Sequence, residues 1–382
     1  MGLKIAARGS AVQPFIVMDV LRAANERAAL GHDIVHLEVG QPSTAAPRGV
    51  LEAARRALDT DRIGYVEALG IPPLRAQLAR HYGAWYELAL DPARIVITPG
   101  SSGAFLLAFL AAFDVGDRVA LAAPGYPAYR NILQALGLTV VELPTTEDHD
   151  FQPTIELLER ERDLAGLIVA SPSNPTGTMI APAQLRALAD YCHRRGIRLV
   201  SDEIYHGIVF EGQVTTAAAL SPSAIVINSF SKYFSMTGWR IGWMVLPADM
   251  IRPVECLAQN LFISTPTLSQ HAALGAFDCH DELQGHVARY RANRDLLLAG
   301  LPKAGFDHLT RATGAFYLYA DIGHLSNDSH DFCRRMLAEA NVAATPGLDF
   351  DRERGHRTLR FSFAGATAEM AQAVERLSKW RR

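Results

Sequence analysis

Cysteine is scarce in this chain: four in 382 residues, Cys192, Cys256, Cys279 and Cys333, far apart and never spaced C-x-x-C. That argues against a disulfide framework and against a cysteine zinc site, and it fits the reducing cytoplasm. Excess charge is missing too. A formal net charge of −3 gives no global electrostatic attraction to nucleic acid. Long apolar runs are absent, and the opening stretch MGLKIAARGSAVQPFIVMDV is broken by Arg8, Gln13, Pro14 and Asp19. It reads as neither a secretory signal nor a membrane span. No internal repeat or low-complexity tract stands out. What remains is an ordinary globular composition, 49% hydrophobic and 20% charged. The length suits two domains, or one large α/β domain with an appendage.

The most informative stretch is IVINSFSKYFSMTGWRIG, Ile225 to Gly242. Its apolar start reads as a buried strand of a parallel sheet, and its exit delivers Lys232 among serines. Burial lowers an ammonium pKa, and the free amine is the form that condenses with a carbonyl. Arg240, eight residues on, is placed to bind a phosphate. Lysine, serines and arginine together suggest pyridoxal 5′-phosphate, although a Ser-Lys pair alone is more often a surface loop.

From Arg94 to Pro247 short apolar runs alternate with helical stretches: 95–97, 119–121, 140–143, 167–169, 198–200, 225–227 and 241–245. Strands without inside/outside alternation, separated by helices, predict a mostly parallel sheet covered on both faces. Ligands of such sheets sit at the carboxyl ends of the strands. The first strand ends in Gly100-Ser101-Ser102-Gly103 before a helix, which suits a phosphate or plain N-capping. The second ends in Pro124-Gly125-Tyr126-Pro127, an aromatic ring that either stacks on a flat ligand or fills the core. The fourth gives Asn174-Pro175-Thr176-Gly177, a stiff turn suited to a fixed hydrogen bond from Asn174. The fifth gives Asp202-Glu203-Ile204-Tyr205. A buried Asp202 needs a cationic partner, either a protonated ring nitrogen or a structural arginine.

Ahead of this region the sequence predicts a helix over 20–29, a strand over 34–39 running into Gly40-Gln41-Pro42, and a helix over 49–58. Behind it comes one long helix over 269–301, whose Arg289, Arg291 and Arg294 read as a solvated face. Strands near 315–320 and 358–363, with helices near 331–340 and 369–380, read as a smaller α+β unit. Arg360, among apolar strand residues, needs a planar carboxylate, from a substrate or from a neighbouring Asp or Glu.

Taken together and in order, the loop from Tyr65 to Gly70, Gly100-Ser101-Ser102, PGYP, Asn174-Pro175-Thr176-Gly177, Asp202-Glu203-Ile204-Tyr205, Ser229-x-Ser231-Lys232, Arg240 and Arg360 span nearly the whole chain. The pattern resembles the fold type I, class I/II pyridoxal-phosphate-dependent aminotransferases, in the bacterial aspartate/aromatic subgroup. The resemblance implies an α/β fold with residues 1–45 as an N-terminal segment packing with the small domain, 46–280 as the large cofactor domain and 281–382 as a small α+β domain. It implies that Lys232 holds the cofactor covalently and shuttles the Cα proton. Asp202 faces the ring nitrogen, Tyr205 and Asn174 face the ring's phenolic oxygen, and Tyr126 stacks on the ring. Ser101, Ser102, Ser229 and Arg240 hold the phosphate, with Tyr65 reaching in from the second chain of a homodimer. Arg360 binds the substrate carboxylate, and Gly40 lets the N-terminal segment close over it. The implied reaction passes an amino group from an α-amino acid to a 2-oxo acid in two ping-pong halves.

One departure bears on specificity. Some bacterial aspartate aminotransferases carry a phosphate-loop lysine that reads the substrate's second carboxylate, and Ser102 stands there instead. With Pro14 to Met18 apolar, the expected donor is uncharged, unless a cation such as Arg8 or Arg130 moves in. The alternatives are an aspartate aminotransferase and a carbon–sulfur lyase of the same fold. A DNA-binding regulator built on this fold would need an N-terminal helix-turn-helix, for which the residues before Val20 leave no room.

Overall fold

The computed structural model describes residues 12–380 and, before them, residues 3, 6, 7 and 9. The first helix described in full is Ile16–Ala29, called the first helix below, and a two-residue strand β1, Val35–His36, follows it. The helix begins four residues earlier than the sequence suggested, and β1 covers only part of the expected strand.

The central sheet follows. Its strands are β2 (Ile95–Thr98), β3 (Arg118–Ala123), β4 (Thr139–Pro144), β5 (Leu164–Ala170), β6 (Arg198–Asp202), β7 (Ile225–Ser229) and β8 (Gly242–Val245), in the spatial order β2-β8-β7-β6-β5-β3-β4. Strands β3 to β7 pair in parallel, whereas β8 runs antiparallel to both β7 and β2. Thus β2 and β7 point the same way, and their carboxyl ends lie on either side of Gly242. That glycine pairs with Thr98 on one flank and Ser229 on the other. A Cβ on Gly242 would stand 2.8 Å from the Asn228 carbonyl and 3.0 Å from the Gly100 backbone. Only glycine lets the helix after β2 come so close to the end of β7.

Local chemistry explains several of the helices around this sheet. The helix Gly100–Ala112, GSSGAFLLAFLAA, is apolar nearly all round, as a helix buried on both sides must be. The helices Pro72–Tyr86, Pro127–Ala135 and Pro182–Arg195 each carry proline in the first turn, where its missing N–H is not needed. The last of these stops at Gly196 with φ +70°, the left-handed cap that glycine adopts without strain.

After β8 the long helix expected over 269–301 proves to be two, Thr267–Leu274 and His280–Gly300. At the break Gly275 packs against Gly49, whose backbone a Cβ would strike. Arg294 also corrects the expected solvated face. It is buried and bonded to Glu211 (3.0 Å) and Asp295 (2.9 Å).

A second sheet is antiparallel, in the order β12-β13-β10-β9, where β9 is His308–Leu309, β10 Tyr317–Asp321, β12 Thr345–Pro346 and β13 Thr358–Ser362. The helix Ile16–Ala29 and residues 35–37 pack here. β1 pairs in parallel with β11 (Val342–Ala343), and Ser362 N donates to Leu37 O at 2.7 Å. Ala24 of the first helix packs on Leu337 and Ala343. No described helix is long and apolar enough to cross a membrane.

Candidate active site

A cavity of about 440 Å³ opens between the carboxyl ends of the central strands, the second sheet and the first helix. At one end Ser101 and Ser102 begin the helix after β2, and the Arg240 guanidinium lies against Gly100, overlapping the place a Cβ would take. Arg240 itself has φ +50°, which turns its side chain back across the helix start, where Nη1 donates to Thr237 O at 3.0 Å. Free amides, hydroxyls, the positive helix end and a guanidinium converge there, a ready site for a phosphate. Ser231 lines this end as well. Ser229 is buried behind it: its hydroxyl donates to Ile241 O (3.1 Å), accepts from Ser231 N (3.1 Å) and lies 2.9 Å from the Ser231 hydroxyl.

In the middle stand Lys232 and Asp202. Lys232 Nζ donates to Gly40 O at 2.6 Å. Burial, then the charges of Arg360 and Arg240, pull its pKa down to about 8 against the attraction of Asp202. Asp202 ends β6, fully buried, and burial raises its pKa to about 6 although the Tyr129 hydroxyl and the Ile204 N–H (3.0 Å) donate to it. Among the described residues no arginine, lysine or histidine forms an ion pair with it, so none of them is the structural arginine of the alternative reading. A buried carboxylate that faces a cavity and has no described ion-pair partner suits a ligand that brings a cation. Nearby, Tyr205 Oη meets Tyr317 Oη at 2.7 Å.

At the third point sits Arg360 of β13, buried between the rings of Tyr317 (4.4 Å) and Phe350 (4.8 Å). It donates to Asn174 Oδ1 at 2.8 Å and to the Glu38 carbonyl, and its Nε has no partner. No described Asp or Glu pairs with it, so the alternative of an internal salt bridge does not hold either. Gly40 belongs to the same contact, because a Cβ there would overlap the Tyr317 hydroxyl. Tyr126 lines the cavity in edge contact with Phe15, 5.8 Å between centroids. Arg130 is committed elsewhere, to Glu142 (2.9 Å) and the Asp349 carbonyl (3.1 Å). Arg8 lies outside the described residues.

The cavity therefore gathers Ser101, Ser102, Tyr126, Asn174, Asp202, Tyr205, Lys232, Arg240, Arg360 and Gly40. Two expected residues are not in its wall: Ser229, turned to the backbone, and Tyr65, which is 83% exposed on the surface. Several wall residues escaped the sequence reading, among them Ser231, Tyr129 and Tyr317. Ser231 stood inside the quoted motif. Tyr129 follows Tyr126 by one helical turn, a spacing that puts both on one face. Tyr317 left no local mark. The set fits a flat phosphorylated aldehyde with a basic ring nitrogen, together with a carboxylate beside it.

Comparison with known proteins gives the same direction. The family model described as aminotransferase class I and II matches residues 32–377. The valine–pyruvate aminotransferase of Mycobacterium tuberculosis is 49% identical over 99% of this chain and 98% of its own length. A crystal structure of an aminotransferase from the same organism superposes with a TM-score of 0.97 at 48% identity, covering 99% of both chains. The aspartate aminotransferase of Thermus thermophilus with maleate reaches 0.93 at 33% identity, over 99% of this chain and all of the other.

Proposed function

Because the chain belongs to the class I and II aminotransferases, we propose that it passes an amino group from α-amino acids with uncharged side chains to a 2-oxo acid, with pyridoxal 5′-phosphate as cofactor. One observation carries this reading. A lysine amine, a buried carboxylate with no described cationic partner and a buried guanidinium with no described carboxylate face one cavity. When bound, the cofactor supplies an aldehyde that takes up the amino group and a ring that accepts the electron pair left at Cα.

The chain's own residues do the rest. Ser101, Ser102, Ser231 and Arg240 hold the phosphate, with Ser229 bracing Ser231. Asp202 keeps a proton on the ring nitrogen, and Tyr129 in turn fixes Asp202 by donating to its carboxylate. Tyr205 and Asn174 donate to the phenolic oxygen, and Tyr126 covers the ring face. Lys232, with its pKa lowered toward neutrality, takes the proton from Cα and returns it on the other side of the reaction. Arg360 binds the donor's α-carboxylate, its ring partners keeping water away and fixing the orientation of its planar guanidinium.

The donor's side chain then points toward Phe15, Val17, Met18 and Val39. The three cations among the described wall residues, Lys232, Arg240 and Arg360, already have roles, and Arg130 is paired. A second carboxylate on the donor would lose water without gaining a partner among the described residues, a cost of several kcal/mol. The valine-acting relative agrees with this preference, although the Thermus relative is named for aspartate. The test is a donor panel with pyruvate as acceptor. Valine, leucine and phenylalanine should show higher kcat/KM than aspartate, and an aspartate value above all three would overturn the preference. Release of pyruvate from cysteine without an acceptor would favour a lyase.

We place the enzyme in the cytoplasm, since all four cysteines are free; cell fractionation checks this. We infer a homodimer in which Tyr65, exposed here beside Ile63, reaches the partner's phosphate. Sedimentation should give a dimer at working concentration; a fully active monomer would refute it.

A further inference from the structure

The first helix has no cap of its own. Phe15 precedes it and offers no side-chain acceptor. Two of its first-turn amides are satisfied from 333 and 332 residues away in the chain: Asp349 Oδ1 accepts from Ile16 N at 3.1 Å and Oδ2 from Val17 N at 3.2 Å. We propose that Asp349 is a positioning residue for donor selection, holding the Phe15–Met18 end of this helix against the side-chain end of the cavity.

A Ser or Asp at position 15 would cap the helix equally well wherever the helix lay. A remote cap acts only when the helix is docked, so helix stability and docking become one event. Asp349 is itself firmly placed. It is 1% exposed at the end of the turn Gly347–Asp349, and its carbonyl accepts from Arg130. The neighbouring Phe350 stacks on Arg360, and its carbonyl accepts from Gly125 N at 3.0 Å. One turn thus ties together the helix, the carboxylate-binding arginine and the Tyr126 loop. A buried carboxylate is costly, and burial does raise the Asp349 pKa against its two amide donors, Arg360 and Arg130. The helix end it holds supplies Phe15, Val17 and Met18 to the cavity. Met18 is 51% exposed at the rim, placed where a longer donor side chain would cover it.

This inference rests on the proposed preference for uncharged donors, and its test separates the two. Hydrogen exchange in Asp349→Ala should accelerate at the amides of residues 16–19 by about tenfold or more, leaving the central sheet unchanged. Asp349→Asn, which keeps one acceptor and nearly the same shape, should fall between. For Asp349→Ala, kcat/KM for valine and leucine should drop about tenfold, mainly through KM, as for a hydrophobic pocket that loses a wall. Alanine as donor should change less than about threefold, and cofactor affinity should hold. Val17→Ala, with the cap intact, should reproduce the donor pattern without the exchange change. Unchanged exchange in Asp349→Ala, or an equal loss for alanine and leucine, overturns the assignment. Exchange needs no turnover, so a protein that transaminates nothing would sink the proposed function while the cap is still decided.

Discussion

The two ends of the cavity are built on different plans. The end proposed for the phosphate and ring is made by the carboxyl ends of three strands of one sheet: Ser101 after β2, Asp202 on β6 and Lys232 after β7. The donor end is assembled from the first helix, the Gly40 turn, β10 and the β12–β13 region, held together by contacts between residues hundreds apart in the chain. Fixed charge dominates the first end and apolar shape the second. On the proposed reading, chemistry common to any amino acid sits where a rigid sheet positions it, and discrimination among amino acids sits where separate pieces meet. Changes at the first end should therefore affect every donor alike.

The harshest break is Lys232→Ala. Without the amine there is neither a covalent hold on the cofactor nor a base for the Cα proton. Turnover should fall by roughly a thousandfold or more for all donors. The visible absorbance of the lysine-bound cofactor should vanish while phosphate contacts still retain some of it. A variant with normal turnover would remove Lys232 from the chemistry.

Arg360→Ala tests the boundary between the two ends. Two charge-assisted hydrogen bonds to the donor carboxylate are worth about 3–5 kcal/mol together, or on the order of a hundred- to several-thousand-fold in kcat/KM. Valine, alanine and phenylalanine should lose by similar factors, because the α-carboxylate is common to them. A loss confined to one donor would mean that Arg360 belongs to the side-chain end instead.

How much could be read from sequence follows the same division. The strand ends were legible because an apolar run and the polar residue after it lie side by side in the chain: Asp202, Lys232 and Asn174 all come this way. The start of the first helix was not. Pro14 reads as a breaker and Phe15 caps nothing, because the cap is Asp349. Tyr317 was missed since its partners, Tyr205 and the Gly40 backbone, come from other elements. Arg294 looked solvated because the Glu211 that pairs with it lies outside its helix. The break at Gly275 depends on Gly49, more than two hundred residues earlier, and no periodicity within the helix could reveal it.

The smallest expected effect concerns what the first end costs when nothing occupies it. In Asp202 burial raises the pKa from 3.8 to about 6. The folded state then binds a proton more tightly than the unfolded chain between those values. Stability of the cofactor-free protein should fall as pH rises through that window, and the whole cost should be present at pH 7 and above. Two pKa units correspond to about 3 kcal/mol. Asp202→Asn removes the buried charge. Its amide oxygen still accepts from Ile204 N, and its NH₂ group faces the Tyr129 hydroxyl, which turns from donor to acceptor. The stripped variant should therefore be more stable than the stripped parent by about 1–3 kcal/mol at pH 8. That advantage should shrink toward pH 4, where the parent's carboxyl is protonated in the fold. With cofactor present the order should reverse, since only the carboxylate attracts a protonated ring nitrogen. Urea midpoints at pH 4 and pH 8, with and without pyridoxal 5′-phosphate, decide the matter. An advantage that grew as pH fell, or a variant stabilised by cofactor as much as the parent, would mean that Asp202 is part of the scaffold and not part of the site.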